Sequence, residues 1–163
     1  MDPNTGFYNN HNQLFGLKDE SVFSSASDKD GSLWFGATGC LFHIYKKNEG
    51  RGIENMKADK ISIPFKIKAE VTALAFDSTG ILLAGTKNEG LFRYDPTLKN
   101  FKQYNGWSDG DELLRDNTVL CLSSIAADSL LIGTKGKGLV LMHPYSEKFR
   151  KIDFEKNSDA RGT

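Results

Sequence analysis

The chain has 163 residues, of which 39% are hydrophobic and 26% charged: enough apolar material for one cored domain, and too much for a disordered tail. Its 21 Lys and Arg balance 21 Asp and Glu, so the formal net charge is zero and no electrostatic ground exists for nucleic acid or an anionic membrane as partner. The longest apolar runs, such as Ile81 to Ala84, are far too short to span a bilayer, and Met1-Asp2-Pro3-Asn4 opens with neither a basic start nor an apolar run, so no membrane span and no signal peptide is read here.

In chain order, the first predicted strand begins at Val22 and carries the small residues Ser24 and Ser25. A tight turn at Asp30-Gly31 follows, because glycine supplies the positive φ a hairpin needs. Leu33-Trp34-Phe35-Gly36 reads as a second strand, Leu41-Phe42-His43 as part of a third, and Ile61 to Phe65 as a fourth. The same order then recurs. Val71 to Phe76 is almost wholly apolar or small, as a strand buried on both faces requires, and Ala73 and Ala75 suit a crowded innermost position. Thr79-Gly80 is the turn, Leu82 to Gly85 the second strand, Leu91 to Tyr94 the third and Phe101 to Tyr104 the fourth. A third pass starts at Val119, turns at Asp128, and continues through Leu130 to Gly133, Gly138-Leu139 and Phe149 to Ile152.

The register of these passes is tight. A step of 48 carries Val71 to Val119, Leu83 to Leu131, Gly85 to Gly133, Gly90 to Gly138 and Pro96 to Pro144 without a gap. A step of 49 back carries Val71 to Val22, Asp77 to Asp28 and Gly85 to Gly36. Four strands in such a repeat is the size of a propeller blade. The expected fold is all-β, a partial β-propeller of three four-stranded antiparallel blades at about 17–66, 67–105 and 114–153 with a tail at 154–163. Val22, Val71 and Val119 are expected on the innermost strands. Three copies fall short of the four to eight blades of closed propellers, so the terminal blades should expose apolar faces.

The run Val22 to Gly36, with Asp28-Lys29-Asp30-Gly31 before Leu33-Trp34-Phe35-Gly36, resembles the two-component regulator propeller repeat. Gly85-Thr86, Gly90-Leu91 and Tyr94-Asp95 supply the later part of that pattern, while Ala37 stands in copy one where the family prefers Thr. The resemblance implies a periplasmic or extracellular, non-catalytic sensor segment. It implies the remaining blades of a parent receptor as partners, a histidine kinase downstream, an oligosaccharide or other small molecule as ligand, and dimerisation through the parent. No cofactor is expected. A fragment of a propeller-based carbohydrate-active enzyme and a protein-docking scaffold are the alternatives.

Candidate sites were weighed against the repeat. Gly133-Thr134-Lys135-Gly136-Lys137-Gly138 superficially suggests a phosphate loop, but it aligns with Gly85 to Gly90 and lacks the required spacing. Asp28 to Gly31 fits a hairpin turn better than a calcium loop. His11, His43 and His143 share no ligand spacing, so no metal site is expected, and no catalytic set emerges. His43 is read as outward-facing, Trp34 as core, and Cys40 and Cys121 as small buried thiols without a disulfide. The most unusual stretch is Asn105 to Glu112, the connection between blades two and three. There Trp107 stands beside Asp109, Asp111 and Glu112: an aromatic plate for a sugar ring with acceptors for its hydroxyls. These four are the expected ligand-binding residues. Lys18-Asp19 recurs as Arg115-Asp116, so that pair is read as structural.

Overall fold

A computed structural model describes residues 17, 20–47, 55–64, 68–106, 112–115, 118–126 and 129–153. Those residues form twelve strands and one short 3-10 turn, Glu112–Leu114. The first sheet has the order β1 (Ser24–Ser27), β2 (Leu33–Gly36), β3 (Cys40–Lys46), β4 (Met56–Ser62). The second runs β5 (Val71–Phe76), β6 (Leu82–Thr86), β7 (Leu91–Asp95), β8 (Asn100–Tyr104). The third runs β9 (Val119–Ala126), β10 (Ser129–Thr134), β11 (Gly138–His143), β12 (Lys148–Ile152). Every neighbouring pair is antiparallel, so each sheet is a simple meander.

Turn chemistry fixes the hairpins. In blade two, Asp77 is buried and its Oδ1 accepts from Thr79 N at 2.8 Å, Thr79 Oγ1 at 2.6 Å and Ile81 N at 3.0 Å. One carboxylate thus replaces the ladder partners that the turn removes. Gly80 closes the turn at φ 88, and Gly31 does the same in blade one at φ 81. At the other end of the second strand, Thr86 Oγ1 donates to Gly90 O at 2.8 Å and Thr134 Oγ1 to Gly138 O at 2.9 Å. Gly133 to Gly138 is therefore a strand connection built like its counterpart in blade two.

The blades stack through their innermost strands, β1 beside β5 and β5 beside β9. Gly36 pairs across its ladder with Ser24, Gly85 with Ala73 and Gly133 with Cys121. A Cβ on Gly36 would overlap Ser24 Oγ and Val71 Cγ1, and one on Gly85 would overlap Val119 Cγ1. The leading valine of each following blade thus occupies the space its predecessor's glycine leaves open. Ser24 Oγ donates to Val71 O at 2.7 Å and Thr72 Oγ1 to Val119 O at 2.5 Å, which ties the strands at the same points. Around the first joint pack Trp34, Leu41, Leu82, Ala84, Phe92 and Tyr94; around the second, Leu83, Leu91, Leu114, Leu130, Ile132 and Met142. Each fully buried Leu, Ile, Phe or Met side chain among them contributes about 1.5–3 kcal/mol.

Four expectations need correction. Val71 and Val119 open innermost strands and are fully buried, but Val22 lies ahead of β1 and is 45% exposed, because no blade precedes it among the described residues. Cys121 is exposed for the matching reason: its side of β9 faces away from blade two, and only Cys40 is buried. Neither cysteine is in a disulfide. The fourth strand of blade one is Met56–Ser62 rather than Ile61 to Phe65, since it follows β3 along its whole length, from Cys40↔Ser62 to Lys46↔Met56. His43 is half-buried rather than outward-facing, held by the ring contacts described below.

Because nothing lies within 4 Å of a Cβ built on Gly80, its replacement tests backbone conformation alone. Gly80→Val should lower stability by about 1–2 kcal/mol, and Gly80→Asn by less, as read from urea melts.

Candidate functional site

The connections between blades and the loops between second and third strands lie at the same end of the strands. The connection from β8 to β9 is held at both margins. Gly106 turns at φ 82, a Cβ there would overlap Arg115, and Arg115 Nε donates to Gly106 O at 2.8 Å. Leu114 is fully buried in the joint between blades two and three. Arg115 therefore has a structural contact, as its recurrence suggested. Of the expected ligand residues, Glu112 is exposed and opens the 3-10 turn, its carbonyl accepting from Arg115 N at 3.2 Å. Trp107, Asp109 and Asp111 lie outside the described residues, so the structure does not bring the set together or separate it. Asp116, Asp128 and His11 lie outside them too.

A concavity of about 920 Å³ opens between the outer strands of blades one and two. Its walls include His43 and Tyr45 from β3, Asp59 from β4, Tyr94 from β7 and Phe101 from β8, with Trp34 at its base. The alternation of strands places them: His43 and Tyr45 are two apart on β3, and His43 pairs with Trp34 on one side and Asp59 on the other. Trp34 is 1% exposed, as its core reading requires, and stacks on His43 at 4.1 Å between centroids. His43 meets Tyr45 at 4.9 Å, and Tyr94 meets Phe101 at 4.5 Å. Tyr45 OH donates to Asp59 Oδ2 at 3.2 Å. Trp34 Nε1, His43 Nε2 and Ser32 Oγ are buried and lack a hydrogen-bond partner among the described residues. Chemically this is an aromatic-walled groove with one carboxylate at its rim, suited to a flat, partly apolar, hydroxylated ligand. Sequence reasoning missed it because Trp34 and His43 were weighed singly. The signal was present in the i, i+2 spacing of His43 and Tyr45 opposite Trp34. In blade two the corresponding positions hold Leu83, Arg93 and Asp95, so the groove belongs to this joint and not to the repeat.

Among the described residues, no cluster of three His, Cys, Asp or Glu is placed to hold a metal ion, and no helix is long and apolar enough to cross a membrane.

Three stacked four-stranded meanders with small innermost strands define a β-propeller segment. Residues 16–39 match the two component regulator propeller family, which bears out the resemblance read from Val22 to Gly36. The extracellular domain described as that of a hybrid two component system, BT4673 of B. thetaiotaomicron, superposes with a TM-score of 0.65 at 22% identity, over 89% of this chain and 18% of that one. PorZ, a surface component of the type-IX secretion system of Porphyromonas gingivalis, superposes at 0.57 and 21% identity, over 73% of this chain and 17% of that one. An inactive virginiamycin B lyase from Staphylococcus aureus, crystallised with quinupristin, superposes at 0.61 and 11% identity, over 84% of this chain and 42% of that one. No curated protein sequence matches the chain. At these identities the likeness shows the fold alone, and an extracellular domain of a two component system, a secretion component and a lyase share it. The chain spans 18% of the length of that extracellular domain.

Burial pushes the His43 imidazole below its ordinary value of 6.5, while Asp30, Asp59 and Asp28 pull it partly back up. The folded chain therefore favours neutral His43, and the unfolded chain binds the proton first as pH falls. Stability from this group is full above its ordinary value and is lost as pH falls through the depressed folded value. Urea midpoints should drop as pH falls below the ordinary histidine value of 6.5, and His43→Phe should flatten that part of the profile. An unchanged slope in His43→Phe would place the titration elsewhere.

Proposed function

We propose that the chain is a non-catalytic, ligand-binding propeller segment of a two-component sensor, lying in the periplasm or outside the cell. It recognises a carbohydrate-derived ligand and signals to a histidine kinase elsewhere in the receptor. The observation that carries this reading is the regulator-propeller match at residues 16–39, in a chain that folds like an extracellular domain of a hybrid two component system. Blades beyond these three complete the ring, and the receptor works as a dimer.

The proposed ligand contacts are Trp107, Asp109, Asp111 and Glu112. Trp107 stacks on the sugar ring, and the carboxylates accept from its hydroxyls. The anchoring of Gly106 and Leu114 on either side supports this choice: a loop fixed at both margins loses less entropy when it binds. The groove between blades one and two is the alternative seat, favoured by its aromatic walls and by Asp59.

Glycan-array screening followed by calorimetry separates the two seats. Trp107→Ala should weaken binding about tenfold with the thermal midpoint nearly unchanged, while Tyr45→Ala leaves affinity intact. The reverse pattern moves the ligand to the inter-blade groove. Turnover of a bound glycan would replace the sensor reading with that of a carbohydrate-active enzyme.

A further inference from the structure

The outer edge of blade one presents a row of unbonded main-chain groups. β4 is the last strand of its sheet and has seven residues, against five each in β8 and β12, its counterparts in the other blades. Lys47 N donates to Asn55 O at 2.7 Å and Ile63 N to Gly39 O at 3.0 Å, so the pairs at both ends of the β3–β4 ladder are bonded ones. Bonded and non-bonded pairs alternate along an antiparallel ladder. Lys57, Asp59 and Ile61 therefore turn their N–H and C=O toward β3, while Met56, Ala58, Lys60 and Ser62 turn theirs outward. Among the described residues, no strand meets those outward groups. The groove between blades one and two follows this edge. Ala58 to Ser62 line it as consecutive residues, whereas one face of a strand would supply only every second residue. Tyr94 and Phe101 of blade two form the facing wall. Lys99 lines the groove at one end, and Lys57 stands at that end too, paired in register with Tyr45. Neither lysine is in an ion pair among the described residues, whereas Lys60 is matched by Glu20. The nearby Asp59 carboxylate accepts from Tyr45 OH. Both walls belong to blades present in this chain. Blades meet face to face, so further blades would leave this edge bare.

We propose that this edge docks an extended segment of another protein, which adds to β4 as a fifth strand and lays alternate apolar side chains into the groove. The main-chain groups argue for a peptide over a sugar. Donors and acceptors at strand spacing are matched in number and direction by another strand. Side chains on the side of the added strand that faces blade two meet Phe101 and Tyr94, so aromatic residues at every second position suit it best. The unmatched Lys57 and Lys99 favour an acidic residue at their end of the segment. This inference rests on β4 and the groove and not on the sensor reading. It leaves the Trp107 loop to the ligand, so either can fail while the other stands.

Selection of a displayed library of random peptides on the whole chain tests it, the peptides having seven residues to match β4. Enriched peptides should carry apolar residues at every second position and an acidic residue at one end. A synthetic copy of the most enriched peptide then gives two readings. On the unaltered chain, methylating one alternate set of its amide nitrogens should abolish binding, and methylating the other set should leave it, because only one set faces β4. Ala58→Pro should weaken binding by about tenfold or more with the urea midpoint little changed, since it removes an outward N–H and no bond of the β3 ladder. Trp107→Ala should leave the peptide bound. No enrichment, enrichment without alternation, equal effects of the two methylated sets, or full affinity in Ala58→Pro would overturn the proposal. So would a dimer of the chain that Ala58→Pro dissolves, because the edge would then belong to a second copy.

Discussion

Each blade is held to the next by a side chain that sits where another residue's Cβ would be. Gly36 and Gly85 have no side chain because Val71 and Val119 occupy that space. The fit brings β1, β5 and β9 together closely enough for hydroxyls of Ser24 and Thr72 to reach the carbonyls of Val71 and Val119. The apolar clusters at the two joints then fill in outward from these points. Close packing of this kind tolerates little change in volume, which makes glycine the residue the geometry demands at both positions.

That joint also sets what lies farther out. With the inner strands fixed, β3 and β4 of blade one splay from β7 and β8 of blade two, and the space between them is walled by whatever the outer strands carry. In the first joint these are His43, Tyr45, Tyr94 and Phe101, which leave an open groove. In the second, Lys102 pairs with Glu147, and Tyr104 OH donates to the same carboxylate at 2.7 Å. The Glu147 carboxyl is raised by burial, but the hydrogen bonds from Lys102 and Tyr104 outweigh this and hold it below its ordinary value. One frame thus gives an aromatic groove at one joint and an ion pair at the next.

The features legible in the sequence are those that local chemistry dictates. Asp77 with Gly80 announces a turn because its carboxylate and a positive φ are both required there, and Thr86 with Gly90 announces the next. Spacing of the valines and glycines gave the repeat because the joint allows few residue types. Features that depend on a neighbour were not legible. Nothing in the local sequence tells Val22 from Val71, or Cys121 from a buried thiol; the difference is whether another blade is present. His43 looked like a surface residue because its partner Trp34 comes from another strand, and Trp34 is in turn packed against Tyr94 of the next blade. The β4 boundary slipped because Met56 to Lys60 alternates weakly and is fixed only by pairing with β3. Of the expected ligand residues, Glu112 alone falls among those described, at the edge of an anchored loop.

A double-mutant cycle on Gly85 and Val119 measures the joint directly. Gly85→Ala alone should cost about 1–3 kcal/mol, because its methyl group must displace Val119. In a Val119→Ala background the same change should cost much less, with a coupling of about 1 kcal/mol or more. Additive effects, within about 0.5 kcal/mol, would show that the glycine and the valine do not share that space, and the joint would not be what holds the blades together.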